Sequence, residues 1–170
     1  VLFRSFNRNK VLELGGEEYK EMAEGDGHLK TGSVRRLIVG EPIGVFYGYR
    51  FDGIFQNEEE CKQQTSSASP IGVGLRRYKD LNGDGKVDAA NDREILGDAN
   101  PKFFGGLTNT FAYKGFELNV FLQYSYGNKI LNYNAMELEN PTGGQNAYAD
   151  MVNRWTPENT GASVPRVIAN

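Results

Sequence analysis

The sequence has little from which to build a chemical centre. Its 170 residues include one histidine, His28, and one cysteine, Cys61. A zinc site made from Cys and His needs three or four ligands, so none can be assembled. No disulfide can close within the chain, which excludes a disulfide-stapled scaffold. Excess charge of one sign is also missing: 19 Lys and Arg against 22 Asp and Glu leave a net charge of −3. A nucleic-acid partner calls for concentrated positive charge and is not expected. No stretch free of Asp, Glu, Lys and Arg approaches the ~20 residues of a membrane-crossing helix. A membrane-crossing strand needs only about nine to eleven residues, so a barrel stays open.

Signatures of enzyme chemistry are equally sparse. Gly25-Asp26-Gly27 and Gly72-Val73-Gly74 lack the third glycine of a dinucleotide loop. No phosphate-binding G-x-x-x-x-G-K-[ST] and no metalloprotease H-E-x-x-H occurs. No pair of acids stands at a spacing that separates glycosidase chemistry from surface charge. His28 lies in a polar stretch and reads as a solvated loop residue. Cys61, among Glu, Gln and Lys, reads as an inert thiol. An enzyme is not expected.

What the chain does have is aromatic residues and glycine: nine Tyr, ten Phe and 21 Gly. That composition leans toward β structure. Residues 1–14 suggest a strand ending at Gly15-Gly16. Residues 17–33 read as a long loop that opens with a helical turn. Val34–Pro42 suggests a short strand stopped by the proline. Residues 43–55, aromatics interleaved with glycines, suggest a strand approached closely by its neighbours. The polar, low-complexity residues 56–70 read as a surface loop. Val1 opens the sequence without a signal-peptide pattern, and the chain is read as a piece of a longer protein.

The clearest signal lies between 103 and 127. If Lys114-Gly115 is a two-residue hairpin loop, Tyr113 pairs with Phe116, Phe111 with Leu118, Asn109 with Val120 and Leu107 with Leu122. These share one face, because side chains alternate with period two. Ala112–Glu117, Thr110–Asn119, Thr108–Phe121 and Gly106–Gln123 share the other. One face is apolar and the other largely polar, with Asn109 and Phe121 as exceptions. In a soluble sheet the apolar face meets a core; in an outer-membrane barrel it meets lipid. Strands of about eleven residues, with Phe103, Phe104, Tyr113, Phe116, Tyr124 and Tyr126 at their ends, fit lipid-spanning strands with aromatic girdles. Tyr47, Tyr49, Tyr124 and Tyr126 could line a sugar path or simply pack. Trp155, with Arg154 and Pro157, could be a sugar-stacking platform, but anchoring at an interface or plain packing is the favoured reading.

One acidic segment carries possible metal chemistry. Asp80 to Asp88 matches the first nine positions of an EF-hand-type loop. Asp80, Asn82 and Asp84 offer oxygens at positions one, three and five, and Gly85 makes the sharp turn at six. Lys86 would offer its backbone carbonyl and Asp88 a further carboxylate. Position twelve is Asn91, so Asp92 falls one residue late and needs a bulge to close the shell. The expected ligand set is Asp80, Asn82, Asp84, Lys86, Asp88 and Asp92, and the expected ion is a structural Ca2+. A Gly/Asn/Asp turn that binds nothing is the other reading.

Residues 78–130 resemble the C-terminal barrel region of SusC/RagA-type TonB-dependent outer-membrane proteins. The matching pieces run in order: the acidic turn, Asp92-Arg93-x-Ile95-x-Gly97, Asn100 to Phe103, the Tyr113-to-Phe116 turn, and Ser125 to Lys129. Residues 39–56, 153–167 and the opening NRNKVLELGG resemble other parts of the family. The family's acidic turn usually places an Asp at position twelve, so here the extra alanine shifts it. The resemblance implies an all-β fold: an antiparallel transmembrane β-barrel segment, an incomplete barrel with long extracellular loops. All of 1–170 would be barrel, five to seven strands of it, with the 80–92 loop inside it and the plug domain absent. Loops 17–33 and the acidic region before 100 would be extracellular and the Lys114-Gly115 turn periplasmic.

The function implied is that of a fragment of an outer-membrane importer in Bacteroidota-like bacteria, taking up glycans or peptides. Implied partners are a SusD-type surface lipoprotein, TonB through the missing N-terminal part, outer-membrane lipid, and an oligosaccharide or peptide cargo. The alternative is a soluble calcium-stabilised β module of a secreted glycan-degrading protein. In that case Phe111, Leu118 and Leu122 would be enclosed.

Overall fold

A computed structural model describes residues 2–22, 34–139 and 146–167. Its strands are β1 (Leu2–Phe6), β2 (Tyr19–Glu21), β3 (Arg35–Ile38), β4 (Val45–Tyr49), β5 (Phe51–Ile54), β6 (Thr65–Ser66), β7 (Arg76–Tyr78), β8 (Lys86–Val87), β9 (Arg93–Asp98), β10 (Phe103–Tyr113) and β11 (Phe116–Tyr126). Short helices α1 (Glu58–Gln63) and α2 (Tyr133–Leu138) and a 3-10 turn at Ala149–Asn153 complete the described elements. The fold is all-β and largely antiparallel, with an open edge on each side of its long sheet. No described helix is long and apolar enough to cross a membrane. Two compact units emerge: Val1–Tyr47 with Ile95–Ile130, and Gly48–Glu94 with Leu131–Asn170.

The first unit contains the long sheet, of order β1-β10-β11. The β10–β11 register is the one the alternation predicts, from Phe103↔Tyr126 to Tyr113↔Phe116. Lys114 (φ 48°) and Gly115 (φ 86°) both take positive φ, the conformation of a type I′ hairpin turn. This geometry matches the right-handed strand twist, and Gly115 adopts it without strain. On the other side β1 pairs with β10, from Leu2↔Leu107 to Phe6↔Phe103. The Asn7 N–H donates to the Lys102 carbonyl at 3.1 Å just beyond that rung. The chain therefore leaves the sheet after Phe6 and returns only at Phe103. Residues 7–102 are one excursion between adjacent strands, and a second follows Tyr126 at the same end.

This connectivity corrects the expected strand count. Among the described residues, only β1, β10 and β11 belong to the long sheet, and the strands of the excursion are two to six residues long. Strands that short cannot cross a bilayer. The expected strand over 1–14 stops at Phe6. The helical turn expected at 17 is instead β2, paired with β3 through Tyr19↔Ile38 and Glu21↔Arg36. Residues 43–55 form two strands, β4 and β5, separated at Arg50. Within 56–70, α1 is present: Asn57 accepts from the Glu60 N–H at 2.8 Å, and Glu60 accepts from the Gln56 N–H at 3.0 Å. Asn57 is thus the N-cap, and Glu60 reaches back to the N–H of the residue before it.

A second sheet, β2-β3-β4-β9, begins in the first unit. It holds a buried cation, Arg36, between the rings of Tyr19 and Tyr47 at 4.2 and 4.0 Å. Arg36 Nε also donates to Glu21 Oε1 at 2.7 Å, so the buried charge is paired. In the second unit Ile54, Phe55, Leu75, Val87, Met151 and Trp155 are buried and form the apolar core.

Candidate functional site

The β1-β10-β11 sheet is the candidate functional surface. One face carries Leu2, Arg4 and Phe6 from β1; Phe103, Leu107, Asn109, Phe111 and Tyr113 from β10; and Phe116, Leu118, Val120, Leu122, Tyr124 and Tyr126 from β11, as the registers require. Phe111, Leu118 and Leu122 are 58%, 59% and 55% exposed. No core among the described residues covers them. Aromatic rings gather at the two ends of this face. At one end Phe103 stacks on Tyr126 with centroids 5.0 Å apart and lies 6.1 Å from both Phe6 and Tyr124. At the other stand Tyr113 and Phe116, with Lys114 Nζ 5.2 Å from the Tyr113 ring centre.

The separation of these aromatic ends is informative. Ten residue steps from Phe103 to Tyr113 span about 33 Å along a strand, at ~3.3 Å per residue. A barrel tilt of about 40° reduces that to roughly 25 Å along the membrane normal, the height of a barrel's apolar band. Gly105 serves this surface by lacking a side chain: a methyl there would overlap the Phe3 carbonyl and the Tyr124 ring. Tyr124 thus lies across β10 against the backbone. The opposite face is hydrophilic toward the turn. Thr110 Oγ1 donates to Asn119 Oδ1 at 2.6 Å, and Asn119 Nδ2 donates to Glu117 Oε1 at 3.0 Å.

The acidic loop lies in the second unit. Asp80 accepts from the Gly83 N–H at 2.6 Å with one carboxylate oxygen and from the Gly85 N–H at 2.7 Å with the other. Gly83 (φ +75°) and Gly85 (φ +80°) take the left-handed conformation that the coil requires. Asn82 accepts from the Asp84 N–H and donates to Asp84 Oδ2, while Asp84 Oδ1 accepts from the Lys86 N–H at 2.7 Å. Val87 is fully buried and pins the loop. Asp88 accepts from the Ala90 and Asn91 N–H groups and pairs with Lys86 Nζ at 3.1 Å. The Lys86 hydrogen bond, first of all, holds the Asp88 carboxyl below its usual range, and Asp88 in turn raises Lys86.

Asp92, the residue that arrives one position late, is fully buried. It accepts from the Leu81 N–H at 2.8 Å and from the Asp88 N–H at 2.7 Å. It joins the two arms of the loop from inside, where a buried carboxylate needs such donors. The structure thus draws the six expected ligand residues into one coil. It does not bring three carboxylates together: among the described residues no group of three or more His, Cys, Asp or Glu is arranged to hold a metal. The donors have the chemistry that suits a hard cation, but they are spent on backbone N–H groups in this arrangement.

The remaining singled-out residues fall elsewhere. His28, Gly25 and Gly27 lie outside the described residues. Cys61 sits on α1, where burial pushes its thiol up and away from a reactive thiolate. Tyr49 packs against Tyr78 at 5.5 Å. Trp155 is buried, and its indole N–H donates to Gln56 Oε1 at 3.0 Å, so it is neither an exposed stacking platform nor an interfacial anchor. Of the favoured readings, plain packing is the one its burial matches.

Comparison with known proteins agrees with the sheet. The chain is 38% identical over 162 residues to TonB-dependent receptor P3 of Formosa agariphila, covering 95% of this chain and 16% of that protein. It is 34% identical over 166 residues to receptor P26 of the same organism, covering 98% and 16%. No family model matches. Among solved structures, the RagAB peptide transporter matches 98% of this chain and 18% of its own, at 20% identity and a TM-score of 0.68. The chain therefore spans about a sixth of the curated relatives' length.

Proposed function

The chain belongs to the TonB-dependent receptors as a stretch of their outer-membrane barrel region, and on that premise we propose that it supplies the wall strands β10 and β11, with β1 paired at their edge, and two outer loops to an energised importer. The complete protein would bring a glycan or peptide too large for porins across the outer membrane. A SusD-type lipoprotein would work at the outer surface and TonB at the periplasmic side, through parts that lie outside this chain. The relatives are receptors, not enzymes, and the chain's contribution is architectural: an apolar wall toward lipid and a hydrophilic face toward the lumen.

The observation that carries this reading is the uncovered apolar face of β10–β11 between its two aromatic ends. A soluble calcium-stabilised module would have to bury Phe111, Leu118 and Leu122, and a patch of that size left in water invites aggregation. In a bilayer the same exposure is favourable. With the Lys114-Gly115 turn periplasmic, as short barrel turns are, both long excursions emerge on the outer side. Calcium in the 80–92 loop belongs to the same proposal. The hard oxygens of Asp80, Asn82, Asp84, Asp88 and Asp92 support it, and binding would require Asp84 and Asp88 to turn oxygens from their present donors toward the ion.

Fractionation of cells carrying the full-length protein tests the wall. Retention in the outer membrane until detergent is added supports it; release into the soluble fraction on lysis overturns it and favours the soluble module.

A further inference from the structure

The two excursions are far apart in sequence, separated by the whole β10–β11 hairpin, yet residues from both share one core. Phe55 and Gly74, from the first excursion, bind each other: the Gly74 N–H donates to the Phe55 carbonyl at 2.7 Å, and the Phe55 N–H to the Leu75 carbonyl at 3.0 Å. From the second excursion, the Arg166 N–H donates to the Gly74 carbonyl at 2.8 Å, and the Trp155 N–H to the Val164 carbonyl at 2.8 Å. Trp155 bridges them. Its indole N–H reaches Gln56 and its ring lies against Gly74. A methyl at Gly74 would overlap that ring, and the glycine's φ of +82° favours no other residue. Phe55, Leu75, Met151 and Trp155 are all buried.

Neither excursion keeps this core alone. Removing residues 146–167 would orphan the Gly74 carbonyl and take the Trp155 ring away from Gly74. Removing residues 53–75 would take away the indole N–H acceptor, Gln56, and the Gly74 backbone against the Trp155 ring. Burial that needs both segments makes their opening cooperative. We propose that the 53–76 and 146–167 segments of the two excursions open and close as a single unit latched by Trp155, so that a ligand or partner gripping one also orders the other. Calling them outer loops rests on the barrel reading; their coupling does not. Coupling of this kind turns contact at one loop into a population shift at the other, with no separate transmission path.

Hydrogen exchange on the full-length receptor in detergent tests the latch. Peptides covering 53–57, 72–76 and 154–166 are expected to exchange with protection equal to within about threefold, as one cooperative unit does. Trp155→Ala is expected to lower protection in all three together, by about tenfold or more, and to leave β10 and β11 unchanged. Gln56→Ala, which removes only the indole's acceptor, is expected to lower all three in parallel by a smaller factor. Wild-type protection that differs by more than about tenfold between the 53–76 and 154–166 peptides would overturn the proposal. So would a Trp155→Ala protein that loosens 154–166 alone. A receptor that fractionates as soluble would end the barrel reading and leave this comparison standing.

Discussion

Single residues decide how the acidic loop holds itself. Asp88 sits below its usual carboxylate range because Lys86 and the N–H groups of Asn91 and Ala90 favour its charged form. Glu94 is lowered in the same way by Arg50, its ion-pair partner. A carboxyl depressed in the folded state adds stability above its unfolded pKa and loses it as the pH falls through the folded pKa. Melting temperature is therefore expected to drop on acidification below the ordinary carboxylate range. Asp88→Asn with Glu94→Gln should flatten that drop, slightly, since both pairs are solvent-screened. Calcium at millimolar concentration is expected to raise the melting temperature, and Asp84→Ala to abolish the rise; calorimetry without a binding heat would remove the ion. Oxygen spacing from Asp80 to Asp88 is legible in sequence because the ligand pattern is local. The inward turn of Asp92 is not, since it depends on where the Leu81 and Asp88 N–H groups end up pointing.

Among the elements, the β10–β11 hairpin is the most readable. Every cross-strand pair follows from one assumption, that Lys114 and Gly115 form the turn, because period-two alternation propagates register along both strands. β2 is not readable: Tyr-Lys-Glu has no apolar alternation and is a strand only because β3 pairs with it. α1 hides in a polar run; Asn57 with Glu60 was its one local signature. The two faces of the hairpin lead to opposite expectations for neighbouring residues. Leu122→Arg, on the apolar face near mid-height, is expected to destabilise the inserted barrel by roughly 2–4 kcal/mol. Gln123→Arg, next in sequence but on the hydrophilic face, should change it little. Heat-modifiable gel mobility or denaturant unfolding in detergent reads the difference, and equal losses would contradict the assignment of faces.

At the scale of the whole molecule, what the sequence hides is adjacency. Family resemblance suggests five to seven strands because each aromatic segment reads as a possible stave. The pairing of β1 with β10 shows instead that most of the chain lies off the long sheet. Loop closure depends only weakly on length, so a long excursion between paired strands leaves no local trace. The neck of the first excursion is closed by Phe6 beside Phe103 and by the hydrogen bond from Asn7 to Lys102. Replacing residues 8–101 with a short glycine-containing turn in the full-length receptor is therefore expected to leave a barrel that inserts and keeps its heat-modifiable mobility. Loss of insertion would show that the excursion is needed to build the wall.

That narrow neck also bears on how such a receptor can diversify. Because the excursion begins and ends at paired neighbours in the sheet, it can be exchanged, enlarged or trimmed without adding or removing a long strand. Sequence variation can then accumulate in the excursion while the long strands stay the same.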